Sequence, residues 1–147
     1  MKPSQTSRFT LRAAAYLMLF KENKILLLKR CNTGWMDEWY SLPAGHFDGK
    51  ETATEAVIRE AREEVGVEVK KQDLKVVHVM HRKSDSEYVD FFFVPVKWKN
   101  EPKLLEKEKS SEVKWFPLNS LPKNTVPYIK KVIDCYNKKI FYSEEGW

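Results

Sequence analysis

Residues 45–67, GHFDGKETATEAVIREAREEVGV, open on a glycine-led turn and run into a helix whose charged residues recur at fixed offsets. Glu60, Glu63 and Glu64 fall at i, i+3 and i+4, so at about 3.6 residues per turn they share one stripe of helix surface. Val57, Ile58, Ala61 and Val65 form a neighbouring apolar stripe, which puts the glutamates at the edge of a buried face, where a cleft can form. Three carboxylates side by side each destabilise an isolated helix by a few tenths of a kcal/mol. A cation removes that repulsion, and oxygen donors select hard divalent ions, Mg2+ or Mn2+. Taken alone, REAREE also reads as a solvated helix face laced with i,i+4 pairs. The apolar stripe beside it favours a site, as do Gly45 and Gly49, which open backbone conformations closed to other residues.

The segment resembles the Nudix box of the MutT-type pyrophosphohydrolases, G-x5-E-x7-R-E-U-x-E-E-x-G-U with U a bulky aliphatic residue. Gly45, Glu51, Arg59, Glu60, Ala61, Glu63, Glu64, Gly66 and Val67 fill it, Ala61 being smaller than usual. The resemblance implies an α/β fold, an α/β/α sandwich with a mixed central sheet, as one domain over residues 1–147. It implies Mg2+-dependent hydrolysis of a phosphoanhydride bond in a nucleoside diphosphate linked to a further moiety, a (deoxy)nucleoside triphosphate or related nucleotide. Glu60, Glu63 and Glu64 would be catalytic metal ligands, joined by a backbone carbonyl at Ala44 or Gly45. Arg59 would pair with Glu51 and a metal-binding glutamate and so fix their rotamers. The general base would be Glu106 or one of the metal-bound glutamates.

Three assignments outside the box come from looser likeness to the same family. Arg30, at the end of the apolar run 25–29, matches an arginine that contacts substrate phosphates, or is a surface arginine at a strand end. Glu106 stands in a charged loop where an additional catalytic or metal-contacting glutamate is expected, although Glu108 and Glu112 compete for that place. Asn124, in LPKNTVP, resembles an asparagine that reads a purine edge, or caps the last helix.

Composition fits a small enzyme. A chain of 147 residues suffices for one domain and one core. The apolar stretch 13–20 falls short of the ~20 residues that span a bilayer, and the expectation is a cytoplasmic protein. The net charge of +5 is spread along the chain, and its densest part, 97–109, alternates lysines with glutamates. Such a surface attracts anionic small molecules and argues against nucleic acid as the main partner. Cys31 and Cys135 have no ligand companions nearby, so neither zinc nor a disulfide framework is indicated. Two rival functions stand beside the hydrolase: a non-catalytic nucleotide sensor, and an RNA-end or RNA-binding protein. The intact glutamate stripe disfavours the first. A homodimer fits the family pattern.

Alternating element types run along the chain. Residues 10–20 and 24–29 read as a hairpin around Lys21-Glu22-Asn23, 40–42 as a short strand, 43–50 as a loop, and 52–65 as a helix stopped by Gly66. Residues 74–81 and 88–97 read as two longer strands, 112–116 as a last strand and 126–138 as an amphipathic helix. His46, His78 and His81 share no ligand spacing and read as packing or surface residues; Asp85, Glu87 and Asp90 read as a solvated hairpin tip. Trp35, Trp39 and Tyr40 either stack a base or join the core.

Overall fold

The apolar run 14–19 is buried on two sides. In the computed structural model, which describes residues 7–147, strand β1 (Arg12–Leu17) and the two residues after it send Ala14, Tyr16 and Met18 into one core and Ala15, Leu17 and Leu19 into another. Strand β2 (Phe20–Lys21) leads to β3 (Lys24–Arg30), which divides in the same way, Ile25 and Leu27 to the first core and Leu26 and Leu28 to the second. Strands covered on both faces read as continuous apolar runs. Each fully buried Leu, Ile or Phe side chain contributes about 1.5–3 kcal/mol.

The remaining elements supply the covers and edges. They are β4 (Tyr40–Ser41), β5 (Ala44–His46), helix α1 (Ala53–Val65), a 3-10 turn (Lys71–Asp73), β6 (Leu74–Lys83), β7 (Glu87–Pro95), β8 (Ser110–Pro117), α2 (Pro127–Asn137) and β9 (Tyr142–Glu145). Helix α2 closes the first core with Ile129, Val132 and Ile133, and α1 closes the second with Ala56, Val57, Ala61 and Val65. The result is the expected α/β/α sandwich. One sheet has the order β5-β1-β7-β6-β9, in which β1–β7 and β6–β9 are parallel and the other pairs antiparallel. The second is built on β3, with β8 along one edge and β2 and β4 sharing the other.

Several sequence expectations need correction. The hairpin of 10–20 with 24–29 does not form, because β5 and β7 already occupy both edges of β1; only β2 pairs with β3, around Glu22 and Asn23 at φ 51° and 63°. That two-residue turn with positive φ suits the twist of a hairpin. Residues 44–46, read as loop, are β5, antiparallel to β1. The polar YSEE segment forms β9 on the edge of β6, so 110–117 is not the last strand.

The helix ends follow local chemistry. Thr52 and Glu55 form a reciprocal capping box before α1, and Gly66 closes it at φ 68°. Helix α2 starts at Pro127 behind Val126 without a side-chain cap, so Asn124 is not its N-cap. None of the described helices is long and apolar enough to cross a membrane.

Candidate active site

Helix α1 packs on β1 and β5, and hydrogen bonds fix its glutamates and Glu51 ahead of it. The Ala44 amide donates to Glu64 Oε2 at 3.0 Å. Arg59 donates to Glu51 through Nε at 3.1 Å and Nη2 at 2.8 Å, and through Nη1 to Glu60 at 2.6 Å. Gly45 leaves room for Glu60: a Cβ there would overlap the Glu60 carboxylate. Gly45 has no positive φ, so its reason is close approach, whereas Gly49 does adopt φ +84° in open space.

A loop completes the group. The Lys103 and Leu105 amides donate to the Val65 and Glu64 carbonyls at 2.9 and 3.2 Å, docking the 103–110 segment on the end of α1. Those bonds satisfy carbonyls left open at a helix C-terminus. Glu106 follows directly, and one carboxylate oxygen from each of Glu60, Glu64 and Glu106 lies within 4.8 Å of the others. Glu112 instead lies near Tyr40, whose hydroxyl is held above its usual range by burial and by that neighbouring carboxylate, and Glu108 is exposed. Burial pushes the Glu64 carboxyl well above the usual carboxylate range, aided by the charge of Glu60 and only partly offset by the Ala44 amide. Glu60 is also raised by burial, against the lowering pull of Arg59. Glu51 is lowered by its Arg59 hydrogen bond. Half-buried oxygen donors this close, with so little positive charge among them, fit a hard divalent cation.

From this group a cleft of about 580 Å³ extends past Ala44 and His46 to Arg82, Tyr88, Tyr128, Arg30 and Trp35. Arg82 is buried and donates to Asp90 at 2.7 Å, its guanidinium 4.3 Å from the Tyr88 ring centre and 4.1 Å from that of Tyr128. The Tyr16 and Tyr128 hydroxyls are 2.9 Å apart. Arg30 donates through Nε to the Trp35 carbonyl and through Nη2 to Thr33, with its guanidinium 4.9 Å from the Trp35 ring centre.

The NUDIX domain family matches residues 10–135. An 8-oxo-dGTP diphosphatase of Proteus vulgaris is 32% identical over 103 residues, covering 70% of this chain and 89% of that protein. The chain belongs to the Nudix family. An ADP-ribose pyrophosphatase of Methanocaldococcus jannaschii is 34% identical over 115 residues, 78% of this chain and 66% of that one. In fold, the MutT NUDIX hydrolase of Burkholderia pseudomallei matches with a TM-score of 0.79 at 22% identity, over 86% of this chain and 98% of that one. The chain is accordingly a pyrophosphohydrolase of the Nudix type.

The Nudix box residues are not all in one place. Glu60 and Glu64 meet Glu106 at the cleft, while Glu63 points along the exposed edge of α1 and reaches Arg59 at 3.4 Å. The stripe of Glu60, Glu63 and Glu64 thus has an inner side, Glu60 and Glu64, and an outer side, Glu63, which still shares Arg59 Nη1 with Glu60. Asn124 is not part of the cleft wall, and its amide nitrogen donates to the Glu38 carbonyl at 2.7 Å. Asp90 is no part of a solvated tip, since it is fully buried under Arg82. Sequence reasoning missed Tyr16, Arg82, Tyr88, Tyr128 and Lys109. A period-two reading carried the signal: His78, Met80 and Arg82 share one face of β6, and Tyr88, Asp90 and Phe92 share one face of β7. That places opposite charges on one buried face.

Proposed function

We propose that the chain hydrolyses a phosphoanhydride bond in a nucleoside diphosphate linked to a further group, a nucleoside triphosphate or related nucleotide, with Mg2+ or Mn2+ as cofactor. The carrying observation is the convergence of Glu60, Glu64 and Glu106 within 4.8 Å at one end of a cleft whose other walls are aromatic and basic. Glu60, Glu64 and Glu106, with the Ala44 carbonyl, would hold one ion, and Glu63 is placed to serve a second. When bound, the ion supplies positive charge against the phosphate oxygens. The two relatives named above act on 8-oxo-dGTP and ADP-ribose, both nucleoside diphosphates carrying a further group, which supports this substrate class.

The reaction adds a water oxygen to one phosphorus, breaks the bridging P–O bond and releases a phosphate or nucleotide leaving group. A carboxylate of the group takes the water proton; Glu64 and Glu106 both lie outside the Arg59 network, and Glu106 is favoured because it alone of the three sits on a loop and not on α1. Arg59 holds Glu60 and Glu51 in place. Lys109, 3.5 Å from Glu106 and in the cleft wall, and the remaining Nη1 of Arg30 offer positive charge to the phosphates. A panel of nucleotides assayed for phosphate and pyrophosphate release in Mg2+, with EDTA and Glu64→Gln as controls, tests the reading. Turnover that survives EDTA and Glu64→Gln refutes the metal site, and absence of turnover across the panel refutes the substrate class.

A further inference from the structure

We propose that the cleft wall around Arg82 and Asp85 reads the base of the nucleotide and selects a 6-oxopurine, guanine above all, by donating from Arg82 and accepting at Asp85. The inference rests on the hydrolase reading above but concerns different residues. The Arg82 guanidinium lies over the rings of both Tyr88 and Tyr128, 4.3 and 4.1 Å from their centres, which leaves its N–H edge to meet a ligand. Along that edge Nε and Nη2 turn to Asp90, at 2.7 and 3.5 Å, and Nη1 makes no hydrogen bond among the described residues. Nη1 is thus the donor of this always-charged side chain that is left open to the cleft, free to meet an acceptor there.

Asp85 supplies the complementary half. It lies on the same cleft wall, exposed, and accepts from Ser84 Oγ at 2.9 Å and the Tyr88 hydroxyl at 3.1 Å. Tyr88 therefore ties the two charges together, its hydroxyl on Asp85 and its ring on Arg82. Those hydrogen bonds also hold the Asp85 carboxyl below the usual carboxylate range, so it is an acceptor at neutral pH. Guanine presents two adjacent acceptors, O6 and N7, and on the next edge two adjacent donors, N1–H and the 2-amino group. Arginine to O6 and N7 is the commonest specific arginine–base contact. Adenine alternates its groups and can satisfy each charge only singly, and cytosine presents its amino donor where O6 of guanine would accept. Trp35, half-exposed and 6.2 Å from the Tyr128 ring, offers an indole face at the mouth for stacking.

The test is equilibrium binding of GMP, IMP, AMP and CMP to the full chain in EDTA, followed by tryptophan fluorescence, so that it does not depend on catalysis. GMP and IMP are expected to bind at least tenfold more tightly than AMP and CMP. Arg82→Lys keeps a cation for Asp90 but loses the guanidinium edge, and should reduce that preference to less than threefold. Asp85→Asn, at an exposed position that leaves the fold intact, should weaken GMP and IMP by about tenfold and leave CMP unchanged. Should Arg82→Lys fail to fold, Asp85→Asn decides alone. Equal affinity of the parent for the four monophosphates, or a preference unchanged by Asp85→Asn, overturns the inference. Selective binding without Mg2+-dependent turnover would instead overturn the hydrolase reading and leave this one standing.

Discussion

One methyl group at position 45 tests how the carboxylate group is assembled. Gly45 lies in β5 without a positive φ, so alanine can adopt its backbone at no conformational cost. What alanine cannot do is share space with Glu60, whose carboxylate occupies the position its Cβ would take. Either Glu60 leaves, giving up a 2.6 Å charge-assisted bond to Arg59, or the strand and helix move apart. The first route forfeits roughly 1.5–3 kcal/mol and the second about 1–3 kcal/mol of overpacking. They are alternatives, so the cost is one and not their sum. At about 2–4 °C per kcal/mol for a chain of this size, the apo protein should melt several degrees lower. Moving a reacting group by an ångström costs on the order of 100-fold in rate, so kcat/KM should fall by about that factor. Gly49→Ala is the matched control: alanine there is strained by φ +84° but meets nothing within 4 Å. It should lose about 1–2 kcal/mol while keeping near-parental kcat/KM. Measured by thermal melts and steady-state hydrolysis, a Gly45→Ala enzyme with parental kcat/KM would refute the close-approach argument, and so would a Gly49→Ala enzyme impaired as severely.

Four further outcomes follow from the same structure. Glu64→Gln removes a buried charge that has no cation partner, so it should raise the apo melting temperature while abolishing turnover, whereas Glu63→Gln, at the exposed edge, should leave apo stability within about 0.5 kcal/mol and impair turnover less; the reverse ranking would restore the undivided stripe. Saturating Mg2+ at ~100 times its Kd should stabilise the parent by about 2.7 kcal/mol and Glu64→Gln by none, with NaCl of equal ionic strength giving no such shift; identical shifts in both proteins would rule out the site. His78 is fully buried between the Ile140 carbonyl and Ser143, and burial lowers its pKa from the ordinary ~6.5. The unfolded chain therefore takes up the proton first, so stability is complete above about pH 6.5 and declines as pH falls toward the folded value; urea melts at pH 7.5 and 5.5 should show a smaller decline for His78→Gln, and an equal decline would exclude this residue. Asn124→Ala should loosen the Glu38 contact and lower stability by about 0.5–1.5 kcal/mol with base preference unchanged, and a changed preference would return base reading to Asn124.

What could be read from sequence was what local spacing determines. The capping box Thr52–Glu55, the Gly66 stop and the apolar stripe of α1 depend on residues within one or two turns, and the helix stands where those signals put it. The Arg59–Glu51 pair was legible because the box itself carries it. Glu106 could be placed only among three candidates, since its position depends on the 103–110 loop docking its amides on Glu64 and Val65, a contact between segments some forty residues apart. The hairpin error has the same origin: whether β1 pairs with β3 depends on β5 and β7 having taken its edges. Short β5 and polar β9 carry too few residues for a periodic signal and exist because neighbouring strands offer open edges. The Arg82–Asp90 pair was hidden for a different reason. Charged residues near a turn suggest solvent, and only the cross-strand register of β6 and β7 reveals that both face inward.

The distribution of positive charge explains why these carboxylates stay together in the fold. Arg59 alone serves Asp48, Glu51, Glu60 and Glu63, at 3.3, 2.8, 2.6 and 3.4 Å. Glu106 has an exposed lysine, Lys109, at 3.5 Å, which solvent screens. Glu64 has no cation among the described residues and receives only the Ala44 amide. The shortage of positive charge is therefore concentrated at Glu64, whose carboxyl burial already pushes upward and where an added cation is most effective. The arrangement is held open by features that do not titrate: Gly45 makes the room, the capped helix fixes the spacing, and the Leu105 amide seats Glu106 beside Glu64. A site stabilised by its own ion pairs would gain little from a metal. This one leaves Glu64 unbalanced, so that folding energy from the two cores holds an electrostatic deficit in readiness for a divalent cation and the phosphates it accompanies.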